Sequence, residues 1–367
     1  MKKRTLILIW MMLGALLLAG SCAQVNEPVP QDGDGTIGFE AEVSLTREAE
    51  TKSSTLNTAT TFSDGQKFRV YARRVGEGRN TRVFGDNGTL VEWDETNGKW
   101  KYNPTSYWYW VSQSNYYDFL AVYPDPDGSG QSGRMTDGAG NDIPGNLAIQ
   151  KTYSLTDNYD LLMAGTRRTG ANAATRTGKV PLTFKHMLSA VKVVVTNDSE
   201  SASLTLNSVK FDNLIHTANA KVTIDATGLP EFSWIDTQRK SDKVTVYTNT
   251  SDPAILAGGS YNPAGYDLFI PADLTVAIDG SLNPDSSKLP HLIVNFTPQG
   301  GSATEVEIPL PDIQKSRFGT DNPLLEWEPG LRYTYNISIR LDGGVIVTVI
   351  TTQWEEITAE TPGLLID

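Results

Sequence analysis

Apolar and polar residues alternate with a period of two along most of the chain. Such alternation predicts β-strands that bury one face and expose the other. The first clear segment places Ile37, Phe39, Ala41 and Val43 on one face, with acidic or small residues between them. In the segment 332–340, tyrosine and isoleucine alternate with polar residues in the same way. The pattern therefore predicts a protein built mainly from half-buried strands.

Shorter segments of the same kind are spread over the rest of the sequence. They predict strands at 67–73, 90–93, 100–102, 191–196, 203–211, 221–225, 243–247, 266–271, 292–296, 306–310 and 345–352. The last of these is apolar on both faces, which predicts a strand buried on both sides. No segment of ten or more residues after residue 21 shows a convincing helical period, so the predicted fold class is all-β. Two successive β-sandwiches suit these strands best.

Two Asn-Gly pairs indicate how neighbouring strands of the N-terminal half are joined. Asn-Gly favours the positive φ angles that two-residue hairpin turns require. The pair at 87–88 is expected to form a hairpin between a strand ending at Phe84 and the strand at 90–93. The pair at 97–98 is expected to join that strand to the next one, at 100–102. The prediction for this region is a β-meander.

The first residues have the order of a bacterial export signal. Three cations, Lys2, Lys3 and Arg4, open the chain. An apolar run follows at 6–19, and small residues then lead to Cys22. The run is shorter than the ~20 residues that a helix needs to cross ~30 Å of hydrocarbon. The sequence therefore predicts export without a membrane span.

Cys22 is the only cysteine, so no disulfide can form within the chain. The segment 18–22, Leu-Ala-Gly-Ser-Cys, resembles a lipobox, where a bacterial lipoprotein is acylated on the cysteine sulfur and cut just before that cysteine. Its leucine stands four residues before the cysteine, whereas lipoboxes usually have it three residues before. The prediction is a palmitate-type lipid anchor on Cys22. Ordinary cleavage that leaves a free thiol is the alternative.

The length that remains after cleavage predicts two compact domains. Residues 1–21 form the predicted signal peptide, and 22–36 form a flexible tether that is rich in proline, glycine and acidic residues. An N-terminal β-sandwich domain is predicted at 37–184 and a C-terminal one at 185–367. The boundary between them is expected to be accurate to within about 20 residues.

The charge balance excludes some classes of partner. The formal net charge is −12, and loss of the three cations before Cys22, where no acid stands, takes it to −15. An acidic surface disfavours nucleic acid and flat attachment to anionic lipid. The lipid on Cys22 is therefore the predicted contact with the membrane.

Residues typical of enzymes and metal sites are scarce. His186, His216 and His291 are far apart and lack the spacing of a zinc site, so structural roles are predicted for them. A fragment at 125–128 is similar to part of a calcium loop, but a proline separates its acids and no glutamate closes it. There is no G-x-S-x-G motif and no phosphate-binding glycine loop. The prediction is therefore no catalytic residue, no metal and no cofactor, although a distant carboxylate pair is not excluded.

The segment 107–123 is the richest in aromatic residues. Trp108 and Trp110 are candidates for stacking on a glycan, since sugars bind to exposed rings. Alternating rings in a strand-rich segment are more often core residues or cross-strand pairs. A core role is therefore preferred, and glycan binding is the alternative.

Six short segments in order along the chain carry a resemblance to a known family. They lie at 37–39 (IGF), 62–72 (FSDGQKFRVYA), 117–124 (YDFLAVYP), 160–165 (DLLMAG), 180–192 (VPLTFKHMLSAVK) and 327–337 (WEPG leading into YTYNI). Together they resemble the fimbrillin family of Bacteroides-type bacteria, whose members build type V pili. The resemblance implies two transthyretin-like β-sandwich domains, with Phe184, His186 and Val191 as framework positions.

The same resemblance implies a mode of assembly. Many stalk subunits of the family lose the lipid and the first strand when a trypsin-like protease cuts after an arginine. The matching arginine here is Arg47, and the displaced strand would be 37–43. A strand of the next subunit, of the kind found here at 345–352 or 357–367, would then fill the open groove. A plain surface arginine is the alternative for Arg47.

The function predicted from the sequence is a non-enzymatic structural subunit of a cell-surface fimbrium or a related adhesin. It is expected at the outer membrane as a lipoprotein and in the fimbrium after processing. Its expected partners are other pilus subunits, with a host glycan or protein as a further candidate. A surface glycan-binding lipoprotein that does not polymerise is the alternative. A stalk, tip or anchor role is left open by the sequence.

Overall fold

A computed structural model shows an all-β protein, which confirms the predicted fold class. It describes residues 37–43, 65–76, 79–84, 88–103, 116–124, 148–157, 159–169, 179–249, 254–263, 265–281, 285–317, 320–340 and 344–353. In these ranges the helical elements are two single turns of 3₁₀ helix, at Ser286–Lys288 and Leu310–Asp312. All other regular structure there is β-strand, so the core is closed by packing sheets on one another.

The strands of the N-terminal half are spaced unevenly along the chain. They are β1 (Phe39–Val43), β2 (Lys67–Gly76), β3 (Arg79–Arg82), β4 (Thr89–Asp94), β5 (Lys99–Asn103), β6 (Tyr116–Tyr123), β7 (Ala148–Ser154), β8 (Leu162–Thr169) and β9 (Val180–His186).

The strands of the C-terminal half follow with shorter connections. They are β10 (Ser189–Asn197), β11 (Leu204–Asp212), β12 (Leu214–Ile224), β13 (Pro230–Lys240), β14 (Val244–Thr248), β15 (Ser260–Tyr261), β16 (Asp267–Phe269), β17 (Ala272–Asp273), β18 (His291–Pro298), β19 (Thr304–Pro309), β20 (Gln314–Arg317), β21 (Thr320–Pro323), β22 (Glu326–Trp327), β23 (Leu331–Ile339) and β24 (Val345–Gln353).

One eight-stranded sheet dominates the N-terminal half. Its order is β1-β9-β8-β6-β2-β4-β5, and β3 pairs with the far end of β2. The sheet curls until its two end strands, β1 and β5, lie next to each other. The curled inner face encloses an apolar core whose buried residues all fall between Ile37 and Phe184. Because an open sheet can bury only one face against itself in this way, the outer face must be covered by other elements.

The C-terminal half contains two facing sheets. The seven-stranded sheet has the order β15-β10-β23-β24-β20-β21, with β16 also on β10, and the four-stranded sheet has the order β14-β11-β18-β19. Phe211 of β11 lies at the centre of their shared core. Its ring centroid is 5.4 Å from that of Tyr335 and 5.6 Å from that of Trp327. Edge-to-face contacts of this kind add to the stabilisation that burial of the rings provides.

A three-stranded sheet, β13-β12-β7, connects the two halves. Strand β7 comes from the predicted N-terminal domain but pairs antiparallel with β12 of the C-terminal half. The sheet packs on the outer face of β6 and β8, so Leu120 and Met163 join the same core as Ala220 and Val222. Strand β7 lies before residue 184 in the chain, but its buried residues belong to the core of the C-terminal half. The predicted domain boundary at residue 184 therefore stays a prediction.

Polar contacts fasten the β12–β13 hairpin to the eight-stranded sheet. Arg167 of β8 donates two hydrogen bonds to the buried carboxylate of Asp118 on β6 and a third, of 3.1 Å, to the backbone carbonyl of Ala226 in the hairpin turn. Arg73 of β2 also donates to Asp118. A buried carboxylate that lost these donors would be left uncompensated, so this contact stabilises one arrangement of the two sheets.

The predicted hairpin at 97–98 is confirmed, and the one at 87–88 is wrong. Strands β4 and β5 pair through the turn at 97–98, where Gly98 has a φ of +58°. Strands β3 and β4, in contrast, lie end to end along the same edge of β2 and do not pair with each other. Gly88 nevertheless has a positive φ of +65°, and a Cβ at this position would also lie 2.5 Å from the carbonyl oxygen of Val70.

The prediction that 345–352 is buried on both faces is also wrong. Strand β24 is central in its sheet, paired with β23 on one side and β20 on the other. Its side chains nevertheless alternate: Val349 is fully buried, whereas Ile346 and Ile350 are about half exposed. The strand is apolar on both faces because isoleucine and valine favour the extended backbone, and one of those faces meets solvent.

We expect Gly165→Ala to destabilise the protein by about 1–3 kcal/mol. A Cβ at Gly165 would lie 2.9 Å from Cβ of Pro230 and 3.1 Å from Leu120, at the contact between β8 and the hairpin. Gly301→Ala is the matched control, because its nearest neighbours would lie at 3.5 Å or more. Chemical denaturation of the two variants and the wild type measures the effect. Equal stability of both variants would contradict the close contact at Gly165.

Candidate functional site

Strand β1 lies at one end of the eight-stranded sheet and pairs in parallel with β9. The register runs from Phe39 opposite Val180 to Val43 opposite Phe184. The backbone N–H of Val180 also donates a 2.9 Å hydrogen bond to the carbonyl of Gly38. Among the described residues β9 is the one strand that β1 pairs with. Its other edge therefore faces β5 without a backbone ladder.

Strand β9 depends on β1 for most of its own pairing. Its inward residues alternate strictly with exposed ones: Val180, Leu182 and Phe184 are buried, and the residues between them are exposed. On its other side β9 pairs with β8 over two residues only, at His186 and Lys185. Within the part of the chain that the structure describes, residues 180–184 thus have one ladder partner, and that partner is β1.

Phe39 fills a space between aromatic rings on four other segments. Its ring centroid lies 5.8 Å from Tyr102, 6.1 Å from Phe119, 6.2 Å from Phe84 and 6.3 Å from Phe68, each in an edge-to-face arrangement. The side chain is 4 % exposed. We call this space the Phe39 pocket. Because the four rings lie on separate segments of the sheet, the pocket is a property of the whole N-terminal core.

Tyr102 links β5 to the chain just before β1. Its hydroxyl donates a hydrogen bond to the backbone carbonyl of Ile37, across the gap where no ladder forms. Burial raises the pKa of the Tyr102 hydroxyl well above its ordinary value, so this group remains a proton donor at physiological pH. Ile37 itself is fully buried. Tyr102 thus contacts the outer edge of β1 through its hydrogen bond to Ile37 and through its ring contact with Phe39.

The structure places the predicted residues of the first strand unevenly. Ile37 and Phe39 reach the core, and Ala41 is half buried against its edge. The side chain of Val43 lies outside the described residues, as do Cys22, Arg47, Trp108 and Trp110. Lipidation, cleavage and glycan stacking at these positions therefore stay predictions.

The residues that line the Phe39 pocket were not singled out by the sequence. Tyr102 and Phe68 fall within predicted strands, and their alternation indicates that they face a core. Nothing in that alternation shows which strand lies opposite them. Contacts between residues 63 positions apart, such as Phe39 and Tyr102, are set by the curl of the sheet.

The three histidines occupy separate places in the fold. Nδ1 of His186 lies 2.7 Å from the Asp160 carboxylate, and both side chains are buried. His216 is on β12, and His291 on β18 lies 3.2 Å from Asp212. Within the described ranges no group of three or more metal-binding side chains comes together. In the same ranges no helix is long and apolar enough to cross a membrane.

The fold and the site define an all-β protein whose end strand β1 contributes Phe39 to an aromatic core. A family model described as fimbrillin-like matches residues 51–354, which is more than half of the chain. The chain therefore belongs to the fimbrillin-like family, a family of fimbrial structural proteins, and the predicted resemblance is confirmed. A comparison with curated proteins gives no match.

Several solved structures are similar to the chain over most of its length. A fimbrial protein from Bacteroides vulgatus is 16% identical, covers 87% of this chain and 99% of its own, and has a TM-score of 0.49. The tip fimbrial protein Mfa3 from Porphyromonas gingivalis is 12% identical, with coverages of 86% and 99% and a TM-score of 0.43. A fimbrilin from the same species is 11% identical, with coverages of 87% and 99% and a TM-score of 0.42.

We expect Phe39→Ala to loosen β1 and Glu40→Ala to leave it in place. Removing a fully packed phenylalanine ring costs about 3–5 kcal/mol, whereas Glu40 is exposed and its loss should cost about 0.5 kcal/mol or less. Hydrogen exchange by mass spectrometry should show faster exchange at 39–43 and at Val180 in the first variant only. Unchanged exchange in Phe39→Ala would contradict the role of the pocket in holding β1.

A pH-dependent contribution to stability is expected from His291. The hydrogen bond to Asp212 raises the pKa of His291, and Glu307 nearby acts in the same direction. The protonated form is therefore the one that folding favours, so this stabilisation is complete below the unfolded pKa of about 6.5 and is lost as the pH rises through the folded pKa. The wild type should exceed Asp212→Asn in stability by more at pH 5.5 than at pH 8.5.

Denaturation curves of both proteins at the two pH values measure this difference. Asp198→Asn is a suitable control because Asp198 is exposed. A difference between wild type and Asp212→Asn that grows as the pH rises would contradict the assignment.

Proposed function

We propose that the protein is a structural subunit of a cell-surface fimbrium, or a related adhesin, assembled by exchange of its first strand. Membership of the fimbrillin-like family supports the fimbrial class. The position of β1 supports the exchange: it is an end strand, bound by one parallel ladder, that fills a pocket in an otherwise complete core. This single arrangement is the observation on which the proposal depends.

Loss of β1 would leave two kinds of unsatisfied surface. The backbone groups of 180–184 on β9 would lose their ladder partner, and the four rings around Phe39 would be open to water. An exposed strand edge above an apolar groove pairs readily with another extended chain. Binding by addition of a strand uses main-chain hydrogen bonds for affinity and side-chain pockets for specificity.

A cut between β1 and β2 would change how β1 competes for its own site. In the intact chain β1 is connected to β2 through residues 44–66, so its effective concentration at the groove is high. Cleavage after Arg47 would turn β1 into a separate peptide that a strand of another subunit can replace. This step explains why a trypsin-like protease would control assembly.

The source of the incoming strand is constrained by β24. This strand, which covers the candidate donor at 345–352, is paired with β23 over nine residues and with β20 over three. Donating it to a neighbour would open the seven-stranded sheet. The other candidate, 357–367, lies outside the described residues. Either segment would have to run parallel to β9 to take the place of β1.

Lipidation at Cys22 completes the proposal. A lipid on this residue would hold the unprocessed subunit at the outer membrane until β1 and its tether are removed together. An uncut subunit would stay anchored, and a cut one would be free to join a polymer. The sequence before β1 supports this order of events, because signal, cysteine, tether and first strand follow one another without interruption.

Treatment of the purified lipoprotein with a trypsin-like protease tests the proposal. We expect mass spectrometry to show loss of residues 22–47 and size-exclusion chromatography to show polymers when the cut protein is mixed with other fimbrial subunits. Arg47→Gln is the matched control and should keep its N-terminus and remain monomeric. Cleavage at Arg47 that leaves the protein monomeric, even with other fimbrial subunits present, would contradict assembly by strand exchange.

A further inference from the structure

The Phe39 pocket has the size and shape of one aromatic ring. The four surrounding rings approach Phe39 at nearly equal distances, between 5.8 and 6.3 Å from centroid to centroid, and all four contacts are edge to face. A valine or alanine in the same place would leave part of the space empty. Empty space inside a packed core is costly because the lining atoms lose their contacts.

Apart from Ile37, the other described side chains of this segment are less demanding. Ala41 is small and only half buried, at the edge of the core. Glu40 is exposed, and a Cβ at Gly38 would lie 3.6 Å from its nearest neighbour, which is ordinary contact. Among the described side chains, the requirement on an incoming strand is therefore concentrated at the position of Phe39, with a large apolar residue two places before it, where Ile37 is buried.

The same position determines the register. Side chains alternate between the faces of a strand, so a slip by one residue would turn an aromatic anchor away from the core. The bond from the Tyr102 hydroxyl to the carbonyl of Ile37 adds a second fixed point, two residues before the anchor. A ring in the pocket therefore selects the alignment against β9, and the Tyr102 hydroxyl can then bond the backbone carbonyl two residues before it.

Strand β24 of a second copy does not meet this requirement. Residues 345–353 contain no aromatic residue, and their inward positions are valine and threonine. The strand is also paired on both sides within its own sheet. The acceptor groove and this candidate donor are therefore poorly matched.

We propose that the Phe39 pocket is the specificity site of the groove: it selects an extended segment of a different subunit that carries an aromatic residue two places after a large apolar one. This inference rests on the proposed strand exchange. The expected partner is a strand that runs parallel to β9 and places an aromatic residue in the Phe39 pocket. Strand β24 of this chain is expected to bind the groove poorly.

Exchange by synthetic peptides into the cut protein tests this proposal. A site for a specific protease is inserted within 48–60 of the full chain, and the protein is cut there so that β1 is bound but no longer connected to β2. Fluorescent peptides of residues 36–44 are then added, and anisotropy gives the concentration for half-maximal exchange. The wild-type peptide is compared with its Phe39→Ala, Phe39→Val and Glu40→Ala versions and with a peptide of residues 345–353.

We expect exchange to depend on the aromatic anchor. The Phe39→Ala peptide should need at least about 100-fold higher concentration than the wild-type peptide, and the Phe39→Val and 345–353 peptides at least about 10-fold higher. The Glu40→Ala peptide should match the wild type within about twofold. Equal exchange by the Phe39→Ala or the 345–353 peptide would overturn the selective pocket and leave strand exchange standing. Failure of the wild-type peptide to exchange would instead contradict the proposed function.

A change on the receptor side gives an independent measurement. Phe84→Leu removes part of one pocket wall, so the cut variant should prefer a Phe39→Trp peptide over the wild-type peptide by more than the parent protein does. Lys101→Ala, on the exposed face of β5, is the control and should keep the parent's preference. An unchanged ratio in a folded Phe84→Leu protein would overturn the assignment of this ring to the specificity site.

Discussion

The N-terminal core is complete only while the ring of Phe39 occupies the space between the rings of Phe68, Phe84, Tyr102 and Phe119. The residue that fills it comes from a short strand at the end of the sheet, held by one parallel ladder. A core normally gains stability by distributing its contacts over central strands. Here one ring of the core comes from an end strand that has a single ladder partner among the described residues.

The sheet that carries this core is also packed on its other face. The outer face of the same sheet is covered by the β12–β13 hairpin, and Arg167 connects that hairpin to the buried Asp118. Central strands β6 and β8 are therefore held from both faces. The wall of the groove that β6 forms would keep its shape under these conditions, whereas residues 180–184 of β9 would lose their ladder partner. A pre-formed groove reduces the ordering cost of binding a new strand.

Periodicity was sufficient to predict the fold class, because strand and core follow from local alternation. The segment 332–340 shows this well: Tyr333, Tyr335 and Ile337 are buried as their spacing implies. Strands β7, β8 and β13 were missed by pattern alone. Strand β13 lies at the edge of a sheet, and both of its faces are partly exposed. Its sequence therefore does not need to alternate between apolar and polar residues. Turn residues also did not indicate that β3 and β4 each pair with β2 and not with each other.

The sequence by itself determined that the chain is all-β and that Phe39 faces inward from a first strand, and it predicts an export signal that ends before Cys22. Each of these depends on residues close together in the chain. Only the tertiary structure decided that β1 pairs with β9, that four distant rings surround Phe39, and that β24 is central in another sheet. The first two of those relations join residues from 29 to 141 positions apart, and their register depends on how the sheets curl and pack, which no local pattern encodes.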